Sequence, residues 1–182
     1  MLFFLFALLG AFAYGQGSKE ENTMKYYPDI FSSVPVNTSE INACSPKDPG
    51  VDWLGLVIRA PLKIEIAAED ADKAVVPLCG FYQVEMTDAL KSPSPRIYVK
   101  NTDSGHIYEG GLLDRDENPQ EPLPLPEEPL DPADLKDMLL GSWFNPDLTD
   151  YVSFPVTSAV YEIYVEYAGM QSNKVRVELT VQ

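Results

Sequence analysis

Residues 159–182, AVYEIYVEYAGMQSNKVRVELTVQ, are the stretch of sequence that decides the fold. Apolar side chains recur at every second position, at Tyr161, Ile163, Val165 and Tyr167 and then at Val175, Val177, Leu179 and Val181. This period of two is that of a β-strand, because a helix would scatter the same side chains around its circumference. The pattern therefore predicts a closing β-hairpin with one apolar face.

The register of this hairpin is predicted from its charges. The apolar faces of the two strands must coincide. Setting Tyr167 opposite Val175 meets this condition and also places Glu166 beside Arg176, which is a favourable cross-strand pair. Residues 168–174 then form the connection. A single hairpin is marginal in water, so the rest of the chain must supply a second layer that covers the apolar face.

The middle of the chain contains the runs that such a layer needs. Strands are predicted over residues 54–59, 62–66, 75–86, 96–100, 106–109 and 151–154. Pro77 and Gly80 predict that the third of these strands is an edge strand or carries a bulge. Residues 101–105, NTDSG, predict the turn of a second hairpin. Strands about ten residues apart with turns between them are typical of a β-sandwich.

The approach to the closing hairpin resembles the end of immunoglobulin-like and fibronectin-like domains. Pro155 is followed by Ser158 and then by Tyr161 at the start of the penultimate strand. The resemblance covers about residues 141–181. It implies that the Tyr161 hydroxyl bonds back to the preceding corner. Ile163 stands where immunoglobulin domains have a cysteine, so the inter-sheet disulfide of that family is absent. The predicted fold class is all-β, an immunoglobulin-like β-sandwich.

An insertion rich in proline and acidic residues interrupts the sandwich over residues 114–137. Its prolines exclude a central strand and favour an extended, polyproline-like chain around Leu123 and Leu125. Asp131 is followed by a proline and, three residues on, by another acid, which is the pattern of a helix start. The insertion is therefore predicted to carry one short helix that ends near Gly141.

The beginning of the chain predicts export. Residues 1–15 form an apolar run that is too short to span a bilayer comfortably and ends in small residues, as secretory signal peptides do. The alternative is an uncleaved membrane anchor. Cys44 and Cys79 are the only cysteines, and an oxidising compartment favours a disulfide over two buried thiols. Residues 16–50 predict an irregular, exposed arm and residues 51–182 the sandwich domain. The predicted location is secreted or periplasmic.

The charge of the chain restricts its partners. The 182 residues include 28 acidic and 13 basic side chains, which gives a net charge of −15. Nucleic-acid binding needs a basic face, so this balance argues against a nucleic-acid partner. It also argues against docking on anionic membranes after signal cleavage. The acidity serves either solubility or the recognition of a cationic partner.

The sequence contains no constellation for catalysis or for a cofactor. His106 is the one histidine, which excludes metal clusters built on histidines, and it is predicted to be an exposed turn residue. Asp114, Asp116 and Asn118 match the first ligand spacings of a calcium loop, but the glycine and glutamate of an EF-hand are missing. They predict either a weak calcium site of another kind or a solvated loop. Asn37 begins an Asn-Thr-Ser glycosylation sequon.

The sequence therefore predicts an exported, non-catalytic module that binds a partner or serves a structural role. The contact surface is predicted at Tyr108, Leu123, Leu125 and Trp143, and the partner is predicted to be a protein or a surface glycan. Packing is the alternative role for Trp143. Two alternative functions are a secreted hydrolase with paired carboxylates and an inhibitor or chaperone-like partner of another exported protein. The latter would dock through an exposed edge strand or the proline-rich segment.

Overall fold

The computed structural model describes residues 24–92, 94–112 and 135–182. These residues are mostly β-structure, as predicted. The strands are β1 (Lys25–Tyr27), β2 (Gly55–Arg59), β3 (Lys63–Ile66), β4 (Cys79–Glu85), β5 (Arg96–Asn101), β6 (Ile107–Gly111), β7 (Leu139–Phe144), β8 (Ala159–Tyr167), β9 (Met170–Gln171) and β10 (Val175–Val181). The short helices are α1 (Met86–Ala89), α2 (Leu148–Tyr151) and two 3₁₀ helices, Asp29–Ser33 and Ala68–Lys73.

The strands form two sheets that share one hydrophobic core. The larger sheet has the order β1-β3-β10-β8-β5-β6, with β9 paired to β8, and the smaller sheet has the order β2-β4-β7. β3 and β10 run parallel, so the larger sheet is mixed, whereas the smaller sheet is antiparallel. The core takes Ile58 and Val84 from the smaller sheet and Ile97 and Ile163 from the larger one. The second layer that the closing hairpin requires is therefore present.

The closing hairpin, β8 and β10, is present in a register that differs from the predicted one. Ile163, rather than Tyr167, lies opposite Val175. Arg176 lies opposite Glu162, and its guanidinium is 3.8 Å from that carboxylate. The apolar faces still coincide, and the inward side chains of β8 are buried. The predicted face is confirmed and the predicted register is wrong.

A tight turn sets the observed register. Ala168 and Gly169 have φ angles of 49° and 77°, and positive φ at both central residues is what a two-residue hairpin turn needs. The chain pairs back at once, as β9 on the end of β8. Ser172 still donates its backbone N–H to the Val165 carbonyl at 2.8 Å, but it is the Ser172 hydroxyl that accepts the N–H of Val165, at 2.9 Å. Residues 172–174 thus postpone the start of β10, which shifts the pairing along β8.

Tyr161 makes the hydrogen bond that its position predicts. Its hydroxyl donates to the carbonyl oxygen of Pro155 at 2.6 Å. The Tyr161 ring is buried and meets the Phe154 ring edge to face, with 5.2 Å between centroids. The bond joins the start of β8 to the corner that precedes it. It therefore helps to fix the point at which the chain enters the larger sheet.

β4 is the central strand of the smaller sheet, and the predicted edge position is wrong. Pro77 lies before the strand, where it forms an isolated bridge with Asp147, so no ladder position needs its missing N–H. Gly80 lies within the strand opposite Phe144. A Cβ atom at Gly80 would overlap the Phe144 ring. The glycine therefore makes room for a ring instead of forming a bulge.

Part of the arm that we predict to be irregular is ordered. β1 pairs antiparallel with β3 at one edge of the larger sheet. Tyr26 and Phe31 belong to the core, because both side chains are buried. Cys44 and Cys79 form the predicted disulfide, and both are fully buried. The described part of the arm is therefore attached to both sheets, by a strand pair and by a covalent bond.

The predicted short helix of the insertion does not extend to Gly141. Residues 135–137 form a turn, and β7 begins at Leu139. β7 pairs with β4 along its whole length, which places Phe144 in the core. Pairing and burial thus override the local helix signal here. The predicted helix start at Asp131 lies outside the described residues.

The short strand that we predict over residues 151–154 is also wrong. Tyr151 ends the helical turn α2, which begins at Leu148. The carboxylate of Asp147 accepts the N–H of Thr149 at 3.1 Å and so caps this turn. Leu148 is fully buried, so the cap and the core together favour the helical turn over an extended chain.

Candidate functional site

Two of the cavities among the described residues differ in character. The larger, of about 520 Å³, lies at the turn of the closing hairpin and is lined by Arg96 and Glu166 among others. Its charged groups already have partners. Arg96 donates to Glu109 at 2.8 Å, and Glu166 accepts from the amide of Gln171 at 2.9 Å. This cavity is therefore a depression whose charged side chains already have partners.

The smaller cavity, of about 220 Å³, lies beside β7, and we call it the seam cavity. One wall is formed by residues 142–146 and another by residues 37–39 of the arm. Pro95, Leu112 and Tyr151 form the opposite side. None of its lining residues is charged, although the chain carries a net charge of −15. The part of a ligand that occupies the seam cavity would therefore be uncharged.

Asn145 is the most buried polar residue at the seam cavity, with 0% of its surface exposed. Its side-chain amide nitrogen donates to the carbonyl of Glu40 at 2.7 Å and lies 3.4 Å from the Thr38 hydroxyl. Its Oδ1 atom has no partner among the described residues, and neither does the buried indole Nε1 of Trp143. An unsatisfied buried polar group costs about 1–3 kcal/mol. Two residues of the cavity wall therefore each carry a buried polar atom that no described residue satisfies.

The backbone of β7 is open on the side that faces the seam cavity. The N–H of Asn145 donates to Thr38 at 2.9 Å, and its carbonyl accepts the N–H of Asn37 at 2.6 Å. The backbone of Asn145 therefore points away from β4. Backbone groups alternate in direction along a strand, so those of Trp143 and Gly141 point the same way. No strand in the described part of the chain pairs with that side of β7.

Trp143 takes the packing role that the sequence gives as the alternative to a contact surface. Its ring packs against Phe81 with 4.6 Å between centroids, and Phe81 in turn stacks on Trp53 at 5.9 Å. Trp143 is half-buried by this packing and also lines the seam cavity. The packing of Trp143 is therefore observed, and its role in contacting a partner stays a prediction.

Tyr108 is not brought together with Trp143. Its ring lies 4.4 Å from the ring of His106 and 6.5 Å from that of Phe154, so it packs at the far end of β6. His106 is exposed in the turn, as predicted. The other predicted contact residues, Leu123 and Leu125, lie outside the described residues. The same holds for the calcium candidates Asp114, Asp116 and Asn118.

The arm wall of the seam cavity is held in place by Asn37. Its side-chain amide donates to Asp150 at 2.7 Å and accepts the N–H of Asp147 at 3.0 Å. The buried carboxylate of Asp147 accepts the N–H groups of Val76 and Thr149 at 2.9 and 3.1 Å. Burial raises the pKa of Asp147 above its ordinary value, and these hydrogen bonds oppose that rise. Sequence reasoning sees only a glycosylation sequon at Asn37, whereas the folded side chain joins the arm to α2.

The opposite edge of the smaller sheet is sealed by a side chain. Asn173, in the bulge of the closing hairpin, accepts the N–H of Ile58 on β2 at 2.8 Å and donates to its carbonyl at 3.0 Å. One asparagine amide thus makes both bonds that a neighbouring strand residue would make. Such caps prevent the edge-to-edge pairing to which open strands are prone. The backbone of Ile58 on β2 is therefore already bonded by a side chain, whereas the outward side of β7 pairs with no strand in the described part of the chain.

The two cavities have one acidic residue between them among the described residues. The seam cavity has no acidic residue in its walls, and the larger cavity has only Glu166. No described group of three or more His, Cys, Asp or Glu residues is arranged to hold a metal ion. None of the helices in the described ranges is long and apolar enough to cross a membrane. No family model matches the chain, and no curated protein or solved structure shows significant similarity to it.

Proposed function

We propose that the protein is an exported, non-catalytic binding module with an immunoglobulin-like β-sandwich fold, and that the seam cavity receives its ligand. One observation carries the proposal. An uncharged, mainly polar cavity is walled by Asn145, a fully buried side chain whose carbonyl oxygen has no partner among the described residues. A small number of precisely placed polar groups fixes orientation and gives specificity in binding sites.

The volume of the seam cavity limits what enters it. Pockets for drug-sized molecules measure about 300–1,000 Å³, whereas the seam cavity measures about 220 Å³. It therefore suits one side chain or one sugar ring of a larger ligand. Trp143 and Tyr151 offer ring surfaces, and Thr38 and Ser39 offer hydroxyls. A surface glycan and a protein segment are the two ligand classes that fit this lining.

Export and fold are supported by separate features. The buried disulfide between Cys44 and Cys79 is typical of proteins that mature in an oxidising compartment. The hydrogen bond from Tyr161 to Pro155 is the one that immunoglobulin-like domains use at the corner before their penultimate strand. Both features agree with a secreted or periplasmic sandwich domain.

The hydrolase alternative receives no comparable support. Glycoside hydrolysis needs two carboxyl groups that face one cleft. Glu166 is the only acid in the larger cavity, and the buried carboxylate of Asp147 is occupied by two backbone N–H groups. Among the described residues, therefore, no pair of acids favours this reaction.

Binding to glycan and peptide arrays tests the proposal, with two variants of one exposed residue. Ser39 lines the mouth of the seam cavity. Ser39→Trp adds a large ring there, whereas Ser39→Ala leaves the cavity open. We expect Ser39→Ala to bind its array ligands like the wild type and Ser39→Trp to weaken them by about tenfold or more. Equal binding by the two variants, or no ligand on either array, would reject the seam cavity as the site.

A further inference from the structure

The outward side of β7 has the backbone groups of an unpaired strand. The carbonyl of Met138 accepts the N–H of Met86 at the end of β4, so this position points towards β4. The alternation of backbone direction then places the N–H and carbonyl groups of Gly141 and the N–H of Trp143 on the opposite side. The Trp143 carbonyl accepts the Ser142 hydroxyl at 3.0 Å. Among the described residues, the next backbone hydrogen bonds on this side of β7 are those that Asn145 makes with the arm.

The arm shows how a strand pairs with this edge. Thr38 forms an antiparallel bridge with Asn145, at the end of β7. The arm then leaves the edge, because the side-chain amide of Asn145 holds the carbonyl of Glu40 at 2.7 Å. Pairing therefore stops after one residue, although Trp143 and Gly141 follow in the same direction. An incoming chain could continue the ladder in the register that Thr38 begins.

We propose that an extended segment of a partner protein adds to the smaller sheet as a strand alongside β7, antiparallel to it, and inserts one uncharged side chain into the seam cavity. The inference rests on the proposed function and names its ligand class. In strand addition the main-chain hydrogen bonds give affinity, and pockets for alternate side chains give specificity. β7 offers both, since residues 142–146 of the strand region are themselves a wall of the cavity.

The size and charge of the site favour a peptide over a glycan. A cavity of about 220 Å³ accommodates one aliphatic or aromatic side chain, and so provides only part of a binding energy. The open backbone of Gly141 and Trp143 provides further donors and acceptors in a line, spaced for another backbone. The uncharged lining selects a neutral side chain, and the net charge of −15 favours basic residues in the flanks of the segment.

Gly141→Pro and Gly141→Ala form a matched pair that tests this geometry. Proline removes the outward N–H and places its ring on the edge, while β4 keeps its ladder because the N–H groups facing β4 belong to the neighbouring residues. Both variants add the same Cβ atom, 3.3 Å from the carbonyl of Tyr82. Any cost of that contact is therefore shared, and only proline closes the edge.

The probe is a set of peptides selected against the wild-type protein from a phage-displayed library of random linear segments. We expect the affinity of selected peptides to fall about tenfold or more in Gly141→Pro and to change less than about twofold in Gly141→Ala. In the wild type, bound peptide is expected to slow amide hydrogen exchange at Gly141 and Trp143. The exchange measurement decides the question even where the proline variant does not fold.

Each other outcome overturns at least one of the two proposals. Equal affinity of both Gly141 variants, or unchanged exchange at Gly141 and Trp143, rejects strand addition. If Ser39→Trp abolishes peptide binding while Gly141→Pro does not, the seam cavity remains the site and only strand addition fails. The same follows if no peptide is selected but an array glycan binds in a way that Ser39→Trp abolishes. Insensitivity to both Ser39→Trp and Gly141→Pro rejects both proposals.

Discussion

Asp147 offers the sharpest test of how the arm, α2 and the start of β4 are joined. Its Oδ1 atom accepts both the N–H of Val76 and the N–H of Thr149. Asp147→Asn keeps an oxygen at this position and removes the buried charge. Asp147→Ala removes the oxygen and leaves two N–H groups without their acceptor. The two variants therefore separate the hydrogen bonds from the charge.

The two variants are expected to differ in their effect on the free energy of unfolding. A buried N–H group that loses its acceptor costs about 1–3 kcal/mol. The N–H of Val76 is buried and that of Thr149 only partly so, and Asp147→Ala is therefore expected to lower the free energy of unfolding by about 2–4 kcal/mol. Burial raises the pKa of Asp147 despite its hydrogen bonds, so the fold favours the neutral carboxyl. A neutral amide in the same place is expected to keep or increase the stability at pH 7.

The pH dependence follows from the direction of the pKa shift. A group whose pKa is raised in the folded state contributes stability that is complete below its unfolded pKa, about 3.9 for Asp, and is lost as the pH rises through the folded pKa. The stability of the wild type relative to Asp147→Asn should therefore decline from pH 3.5 to pH 7. The relevant neighbours are Asp150, whose charge adds to the shift, and the N–H donors that oppose it.

Urea denaturation of the wild type and both variants at several pH values measures these differences. The comparison with Asp147→Asn cancels the titration of groups that the two proteins share. A loss of more than about 2 kcal/mol in Asp147→Asn at pH 7 would mean that the charge itself holds this region together. A difference that does not change with pH would show that the folded carboxyl titrates like an unfolded one.

The disulfide and the Tyr161 corner give two further predictions. The double variant Cys44→Ala/Cys79→Ala is expected to lose about 4 kcal/mol, because the bond closes a loop with a sequence separation of 35; an unchanged denaturation midpoint without reductant would contradict this. Tyr161→Phe is expected to lose about 1 kcal/mol, since it removes the bond to Pro155 and keeps the ring. A melting temperature equal to that of the wild type would mean that the corner does not depend on this bond.

Side-chain periodicity predicts the faces of the strands well, because burial imposes it directly. Tyr161, Ile163 and Val165 are buried as the alternation requires. The turn after β5 is also visible in the sequence. Asn101 accepts two backbone N–H groups of the turn, and Gly105 takes a left-handed φ of 72°. Both are local preferences of the residue type, so no knowledge of the tertiary structure is needed.

The register of the closing hairpin has no such local signal. It depends on Ala168, which takes a left-handed φ of 49° although alanine does not favour that region. It also depends on Ser172, whose side-chain hydroxyl accepts the backbone N–H of Val165. Cross-strand charge pairs were too weak a criterion to choose between registers that bury the same face, since each is worth only about 0.2–1 kcal/mol.

The seam cavity is still further from sequence reasoning. Asn37 bonds Asp147 across a separation of 110 residues, and Asn145 reaches Glu40 across 105. No motif joins these positions, because the arm meets β7 only through the topology of the fold. The sequence identifies Trp143 as a large ring that either packs or contacts a partner. Only the folded structure shows that its indole N–H has no partner among the described residues.

The disulfide explains why the described part of the arm pairs with β7 at one residue only. An arm that continued from Thr38 in antiparallel register would run along β7 towards Gly141. Cys79 lies at the beginning of β4, next to Gly80, which pairs with Phe144 at the end of β7. The bond from Cys44 to Cys79 therefore requires the arm to stay at the level of Phe144, which is incompatible with pairing farther along β7. The covalent bond that attaches the arm to the core thus also keeps the described part of the arm from pairing with Trp143 and Gly141.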